Sequence, residues 1–251
     1  MKRRVWSIAD THLGFTVDKP MDIFGLKWEE HAERLAENWC ANVNDDDVVL
    51  LPGDISWGMN YDESVEDLRY LHELPGTKIL GKGNHDYWWQ TQRKNERFVN
   101  EHGFDSIHFL YNNAHRIDLD GERTLIVVGT RGWLHPLDWE GDQDQKIYER
   151  EIGRLELSLQ AGHKLGKTAR AEGEGRDVTY LAMVHYPTRL AHPKDPTPFD
   201  EHFQAFGVSI CLYGHLHGSV AHKRGARGEI DGVDYINVAA DALSFSPKLI
   251  L

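Results

Sequence analysis

The stretch Val5-Trp-Ser-Ile-Ala-Asp-Thr-His12 decides the fold. It is an apolar run that is followed at once by two side chains of types that can bind metals. Residues 5–9 have the apolar character of a buried strand, and Asp10 and His12 follow where that strand stops. Residues two apart in an extended chain point to the same side, so both side chains can reach one ion. The segment therefore predicts a strand that delivers metal ligands to the edge of a sheet.

Four further polar segments follow apolar runs in the same way. They are Gly53-Asp54 after residues 47–51, Gly83-Asn84-His85-Asp86 after 78–80, His185 after 180–184, and Gly214-His215-Leu-His217-Gly218 after 209–213. Runs of Val, Ile and Leu that alternate with helical patterns are typical of an α/β sheet covered on both faces. Because open α/β folds place their sites where strands end, we expect all five segments to converge.

The residue types in these segments are those of a transition-metal site. Imidazole and carboxylate ligands together suit Zn, Mn, Fe or Ni better than Ca or Mg. Asp54 has two carboxylate oxygens and can bridge two ions, whereas Asn84 supplies a neutral amide oxygen. Two ions about 3.5–4 Å apart would polarise a phosphoryl oxygen and clamp an in-line displacement. His85, beside Asn84, points elsewhere and can meet a substrate.

The order and spacing of the five segments resemble the calcineurin-like metallophosphoesterase superfamily, whose motifs are D-x-H, G-D, G-N-H-[DE], a later H and G-H-x-H. This resemblance implies two facing mixed β-sheets flanked by helices, an α-β-β-α sandwich. It also implies hydrolysis by a hydroxide that bridges two metal ions, with Asp54 as the shared ligand and His85 stabilising the transition state or protonating the leaving oxygen. The implied ligand sets are Asp10, His12, Asp54 and His217 for one ion, and Asp54, Asn84, His185 and His215 for the other.

Each motif taken alone has a simpler interpretation. A single histidine at a strand end is more often a hydrogen-bonded structural residue than a ligand. Gly-Asp alone is a turn signal. Only the occurrence of all five in order, over residues 10–217, favours a metal centre. The closing stretch 235–241 also resembles the last strand of that superfamily.

Length and composition limit the function classes. The 251 residues predict one domain spanning 1–251, with insertions at about 15–27 and 131–176. The formal net charge of −12 argues against broad binding to nucleic acid but not against a small phosphorylated substrate. No apolar run is long enough for a membrane span or a signal peptide. Cys40 and Cys211 lie in apolar patterns, so we expect buried, reduced thiols in a cytoplasmic protein. The oligomeric state stays open.

Apolar spacing predicts the remaining elements. Helices are expected at 28–43, at 62–74 with Asp62 as N-cap, at 87–101 and at 145–164, and strands within 109–128 joined at Asp120-Gly121. The helix at 87–101 would place a positive dipole end near His85. Residues 169–176 read as a mobile loop.

Several aromatic and basic residues have two open interpretations. Trp57, Trp88 and Trp89 could stack an aromatic substrate group or pack in the walls, and Trp133 and Trp139 could contact substrate or cover the sheet. Arg131, after an apolar strand, could bind phosphate oxygens or pair with a nearby acid.

The chain lacks one arginine that the resemblance would suggest for a protein phosphatase. Gly53-Asp54 continues as Ile-Ser-Trp-Gly, whereas protein Ser/Thr phosphatases of the superfamily carry a phosphate-gripping arginine in this segment. A phosphodiester or a small phosphorylated molecule is therefore the expected substrate. The stretches 15–25 and 129–133 resemble an uncharacterised bacterial branch of predicted phosphohydrolases. Alternatives are a phosphomonoesterase or protein phosphatase, a nuclease using Lys223, Arg224 and Arg227, and a non-enzymatic protein-interaction scaffold.

Overall fold

The computed structural model describes residues 2–173, 175–193 and 195–251. Its strands are β1 (Val5–Ser7), β2 (Val48–Leu51), β3 (Thr77–Leu80), β4 (Ile107–Phe109), β5 (His115–Asp118), β6 (Arg123–Thr130), β7 (Asp177–Val184), β8 (Val208–Tyr213), β9 (Gly228–Ile230), β10 (Val233–Asn237) and β11 (Lys248–Leu249). Its helices are α1 (His31–Asn42), α2 (Tyr61–Glu73), α3 (Gln92–His102), α4 (Asp142–Glu172), α5 (Pro198–Phe206) and α6 (Gly218–Ala221). Short 3-10 turns span Met21–Phe24, Leu26–Trp28 and Pro136–Asp138.

The strands form two mixed sheets. The first has the order β11-β1-β2-β3-β4, in which β1 to β4 are parallel and β11 is antiparallel. The second has the order β5-β6-β7-β8-β10-β9, with parallel central strands and antiparallel edges. All five strands predicted ahead of the polar segments are present, and the hairpin turn at Asp120-Gly121 joins β5 to β6.

Alternating side chains explain how the two sheets stack. In β2, Val48 and Leu50 face the other sheet, whereas Val49 and Leu51 join the cluster beneath α1, α2 and α3. In β6, Val127 faces the first sheet and Val128 packs toward α4 and α5. Because a strand points successive side chains to opposite faces, each sheet contributes to two cores. The predicted α-β-β-α sandwich is therefore confirmed.

The first two helices differ from the predicted bounds. Glu30 has a left-handed backbone with φ 49°, so the 3-10 turn that contains Trp28 is separated from α1. Asp62 is not the N-cap of α2. The side chain of Asn60 has that role, because its oxygen accepts the Glu63 amide hydrogen at 3.1 Å.

The third helix begins later than predicted, at Gln92 rather than at 87. Trp88 and Trp89 are buried in the core, and the turn that buries them keeps residues 87–91 out of the helix. The expected helix dipole beside His85 is therefore wrong, since the first turn of α3 lies seven residues further along the chain.

The fourth helix is longer than predicted, because its buried face continues to Ala169 and it ends at Glu172. The loop predicted at 169–176 is thus wrong for its first half. Arg176 donates hydrogen bonds to Asp118 at 3.0 Å and to Thr124, and Glu174 lies outside the described residues.

Cys211 is buried as expected, but Cys40 is exposed because it lies on the outer face of α1. In the described part of the chain, no helix has the length and apolar character to cross a membrane.

Candidate metal centre

Backbone hydrogen bonds join four of the five loops that carry the polar segments, in two pairs. The amides of Asp10 and His12 donate to the carbonyl oxygens of Gly53 and Asp54 at 2.9 and 3.1 Å. The Gly214 amide donates to the His185 carbonyl oxygen at 3.1 Å. The carboxyl ends of β1 and β2, and those of β7 and β8, are thus fixed to each other. The predicted convergence at one edge is what the structure shows.

The first group of side chains lies between the loops after β1 and β8. Asp10, His12 and His217 present ligand atoms that all lie within 4.8 Å of one another. The Nε2 atoms of His12 and His217 are 3.2 Å apart, and His217 Nε2 is 3.6 Å from Asp10 Oδ1. Two ring nitrogens and a carboxylate oxygen therefore face a common point.

The second group adjoins the first and shares Asp10 with it. Asp10, Asp54 and His185 also lie within 4.8 Å of one another. Oδ2 of Asp54 is 3.4 Å from His185 Nε2 and 3.8 Å from His12 Nε2, so one carboxylate oxygen faces both groups. That position is the one a bridging ligand requires.

Asn84 lies beside the second group. Its Oδ1 is 2.8 Å from His185 Nε2 and 2.9 Å from His215 Nδ1. Nδ1 of His185 is 2.9 Å from the Pro52 carbonyl oxygen, which can accept a hydrogen bond from Nδ1–H and so keep Nε2 directed at the cluster. All seven predicted ligand side chains are thus brought together at one edge of the sandwich, where strands of both sheets end.

Four of these residues have an unfavourable backbone. Asp10, His12, Asp54 and His215 are in left-handed conformations with φ of 59°, 45°, 53° and 68°. Such a conformation costs a non-glycine residue on the order of 1–3 kcal/mol and is concentrated at functional sites. Gly53 is required for a different reason, because a Cβ there would overlap the Gly83 amide nitrogen.

Burial and neighbouring charges shift the pKa values of the cluster. Burial raises the pKa of Asp10 to about 6 and lowers the pKa values of His12 and His215 to about 3, so both rings are neutral and offer lone pairs. Burial would also lower the pKa of His185, but the Asp54 carboxylate beside it raises that pKa. The same ion pair holds the pKa of Asp54 well below its usual range, although burial opposes this. Burial thus keeps Asp10, His12 and His215 close to their neutral forms, whereas Asp54 and His185 stabilise each other as an ion pair.

The donor set fits divalent metal ions. Carboxylate oxygens, imidazole nitrogens and the Asn84 amide oxygen face each other at short distance. These ligand types suit transition metals more than Ca or Mg. Asp10, His12, Asp54 and His185 thus point to divalent metals of unassigned identity.

Asp86 is a supporting residue that the sequence interpretation missed. Its buried carboxylate accepts the backbone amide hydrogens of Asp54, Ile55 and Gly83 at 2.9, 2.8 and 2.7 Å, and the indole N–H of Trp88 at 3.1 Å. Burial and the nearby Asp54 raise its pKa to about 6. Its place in the G-N-H-[DE] motif was the available signal.

Asp241 was also missed, although it ends the 235–241 stretch. Its Oδ1 is 3.1 Å from His217 Nδ1, and its Oδ2 accepts the Gly218 amide hydrogen at 2.9 Å and pairs with Lys27. Burial would raise the pKa of Asp241, but the bonds from His217 and Lys27 hold it well below its usual range. A carboxylate on Nδ1 fixes the ring so that Nε2 faces the cluster.

The two predicted substrate residues differ in their surroundings. His85 is half-buried, its ring centroid is 4.4 Å from that of Trp57, and its backbone amide donates to Asp54 Oδ1 at 2.8 Å. The guanidinium of Arg131 instead lies 3.6 Å from Glu151 Oε1 and 4.6 Å from the Trp133 ring centroid. The structure thus shows Arg131 paired with a nearby acid, which was one of the two interpretations of this residue.

The tryptophans also differ in whether their rings can reach a substrate. Trp88 and Trp89 are core residues, so they are not free to stack a substrate group. Trp57 lies beside His85 and His12. Trp133 and Trp139 are half-buried against the core beneath α4, which is the packing role.

A sandwich of two mixed sheets with a carboxylate and imidazole cluster at its edge is the architecture of a metal-dependent phosphoesterase. Residues 3–219 match the model of the calcineurin-like phosphoesterases, and the chain belongs to this family.

The similar proteins come from phages and bacteria. The Gene 66 protein of Mycobacterium phage D29 is 39% identical over 201 residues, which cover 78% of this chain and 92% of that protein. The Gene 66 protein of phage L5 is 37% identical over 83 residues, so the match spans 32% of this chain and 39% of that protein.

Two solved structures share the fold. One is the phosphopantetheinyl hydrolase of Mycobacterium tuberculosis, with a TM-score of 0.54, 16% identity and coverage of 100% of this chain and 96% of that one. The other is TT1561 of Thermus thermophilus, with a TM-score of 0.56, 12% identity and coverage of 100% and 99%. At these identities the similarity concerns the fold alone.

Proposed function

We propose that this protein hydrolyses phosphodiesters or small phosphorylated molecules at a two-metal centre. The observation that carries this proposal is the position of Asp54, whose Oδ2 faces His12 on one side and His185 on the other. A single oxygen placed between two ligand groups is what a shared ligand of two ions needs.

The proposed ligand sets are those that the resemblance implies, with Asp54 shared and Asp10, which lies near both groups, assigned to the first ion. Asp10, His12, Asp54 and His217 would hold one ion, and Asp54, Asn84, His185 and His215 the other. Bound there, Mn, Fe, Zn or Ni would polarise a phosphoryl oxygen and lower the pKa of water. His85 lines the cleft beside these ligands and would donate a proton or hydrogen bond to the leaving oxygen.

The charges around the centre support a substrate of low charge. Lys27 is paired with Asp241, Arg131 with Glu151, and Arg224 with Asp138. A phosphomonoester dianion needs a cationic clamp more than a diester monoanion does. Because these three cations already have carboxylate partners, the diester is the better fit. The net charge of −12 also favours a small substrate over a nucleic acid.

Two measurements test the proposal. The purified protein, reconstituted separately with Mn²⁺, Fe²⁺, Zn²⁺ and Ni²⁺, should bind two ions per chain. It should hydrolyse bis-aryl phosphodiesters with a higher kcat/KM than the aryl monoester. A tenfold preference for the monoester, equal to about 1.4 kcal/mol of transition-state stabilisation, would show that one of the paired cations is released to clamp the substrate. No metal and no hydrolysis would favour the scaffold alternative.

A further inference from the structure

A cleft of about 320 Å³ opens directly beside the candidate metal centre. Its inner end is formed by the rings of His12, His85 and His217. Its walls are apolar and consist of Met21, Phe24, Trp28 and Trp57. The volume is in the range of sites that bind small organic molecules.

The apolar walls contact the candidate ligands themselves. The Trp57 ring stacks on His12 with centroids 4.9 Å apart and planes 22° apart. Trp28 meets His12 and His217 edge-on, at centroid distances of 5.9 and 5.6 Å. A substituent of a phosphoryl group at the metal centre would therefore have these two indoles within reach.

Two polar groups of the cleft walls, the Lys27 ammonium and the Trp57 indole, already have partners. Lys27 carries the one permanent charge among the described residues that line the cleft, and it is paired with Asp241. The indole N–H of Trp57 donates to Met21 Sδ at 3.2 Å. A sugar or charged substituent would lose hydrogen bonds to water on entering, whereas an apolar one would gain from burial.

We propose that this cleft is a subsite for an apolar substituent of the substrate, an aromatic ring or a short alkyl chain on the phosphoryl group. This inference rests on the proposed function and names the substrate class more narrowly. Phe24 is the recognition residue at the mouth of the cleft, since its side chain is 61% exposed and lines the opening. Its neighbour Ile23 is 72% exposed and does not line the cleft, so it provides a matched control.

The test compares two phosphonates that share a head group. Phenylphosphonate and methylphosphonate are titrated into the Mn²⁺-saturated protein while the intrinsic tryptophan fluorescence, to which Trp28 and Trp57 contribute, is followed. Burial of the phenyl ring should make phenylphosphonate bind at least about tenfold tighter than methylphosphonate. Phe24→Ala should reduce this preference about threefold or more, whereas Ile23→Ala should leave it unchanged. Both changes are at exposed side chains, so the fold should tolerate them.

The outcomes separate the subsite from the proposed function. If the protein hydrolyses phosphoesters but binds both phosphonates equally, the apolar subsite is wrong and the enzyme assignment stands. If Phe24→Ala and Ile23→Ala have the same effect, Phe24 does not form the subsite. If the protein neither hydrolyses esters nor binds either phosphonate, the proposed function itself fails.

Discussion

The carboxylate of Asp86 accepts a hydrogen bond from the backbone amide of Asp54 at 2.9 Å. The same carboxylate bonds the amides of Ile55 and Gly83, so it joins the loop after β2 to the loop after β3. Asp86, which is not one of the candidate ligands, thus stabilises the left-handed backbone of Asp54.

Asp86→Asn should therefore weaken the fold as well as the site. Asparagine has one acceptor oxygen and turns an NH₂ group toward amide hydrogens, which leaves at least one buried donor unpaired. We expect a loss of about 1–3 kcal/mol in the free energy of unfolding, measured by urea denaturation. The control Asp45→Asn is at an exposed turn and should change it by less than about 0.5 kcal/mol. Equal stabilities for the two variants would contradict the role of Asp86.

Asp54→Ala should lose more metal than Asn84→Ala. Asp54 Oδ2 faces both ligand groups, whereas the amide oxygen of Asn84 faces only His185 and His215. We expect Asp54→Ala to abolish turnover and reduce binding of both ions, and Asn84→Ala to reduce binding of one. Elemental analysis after dialysis measures the difference. Two ions and full activity in Asp54→Ala would refute the bridging assignment.

His85→Asn should lower kcat by roughly 10² to 10⁴ while both ions stay bound, the usual range for a positioned acid or base. The loss should be smaller for a nitrophenolate leaving group, which needs no proton, than for an alkoxide. Assays over a leaving-group series measure this. His163→Asn, at an exposed position of α4, should leave kcat unchanged. Loss of metal or a flat leaving-group dependence in His85→Asn would mean that His85 is a ligand or a structural residue.

Asp241→Asn should weaken metal binding about 10- to 100-fold, because the ring of His217 loses the carboxylate that orients it. Lys27→Met is the comparison, since Lys27 pairs with the same carboxylate without a bond to His217. We expect a smaller loss for that variant in competition titrations with a chelator. If Lys27→Met weakens binding as much as Asp241→Asn, the carboxylate acts through the segment that carries Lys27 and not through His217.

Asp67 should make the fold less stable as the pH rises. Burial raises its pKa to about 6, and the Ser56 hydroxyl and the Phe15 amide, which both donate to it, offset this only in part. The folded state therefore binds the proton more tightly than the unfolded chain does. The resulting stability is fully present below about pH 4 and is lost as the pH rises through about 6.

Replacement of Asp67 by asparagine removes this titration. Relative to Asp67→Asn, the wild type should lose on the order of 2 kcal/mol between pH 4 and pH 7, measured by urea denaturation at several pH values. Asp62→Asn, at an exposed position of the same helix, should follow the wild type. Parallel pH profiles for Asp67→Asn and the wild type would show that the pKa of Asp67 is not raised.

The sequence predicted the sheets and the convergence of the cluster because both depend on local patterns. Continuous apolar runs place strands, and the residues after parallel strands meet at one edge. The roles of Asp86 and Asp241 were not predicted. Asp86 bonds backbone amides and Asp241 bonds the imidazole of His217, and only the fold brings these partners near. The late start of α3 has a similar cause, because burial of Trp88 and Trp89 overrides the helical spacing of that stretch.

The left-handed backbones of Asp10, His12, Asp54 and His215 predict which substitutions would accumulate if the metal centre were no longer needed. Glycine adopts such conformations without strain, so replacing any of the four would relieve the backbone at that position. In a descendant that kept the sandwich but no longer used its metal centre, glycine at these four sites would make the fold more stable. Aspartate and histidine at all four are therefore what we expect of a chain that uses the proposed metal centre.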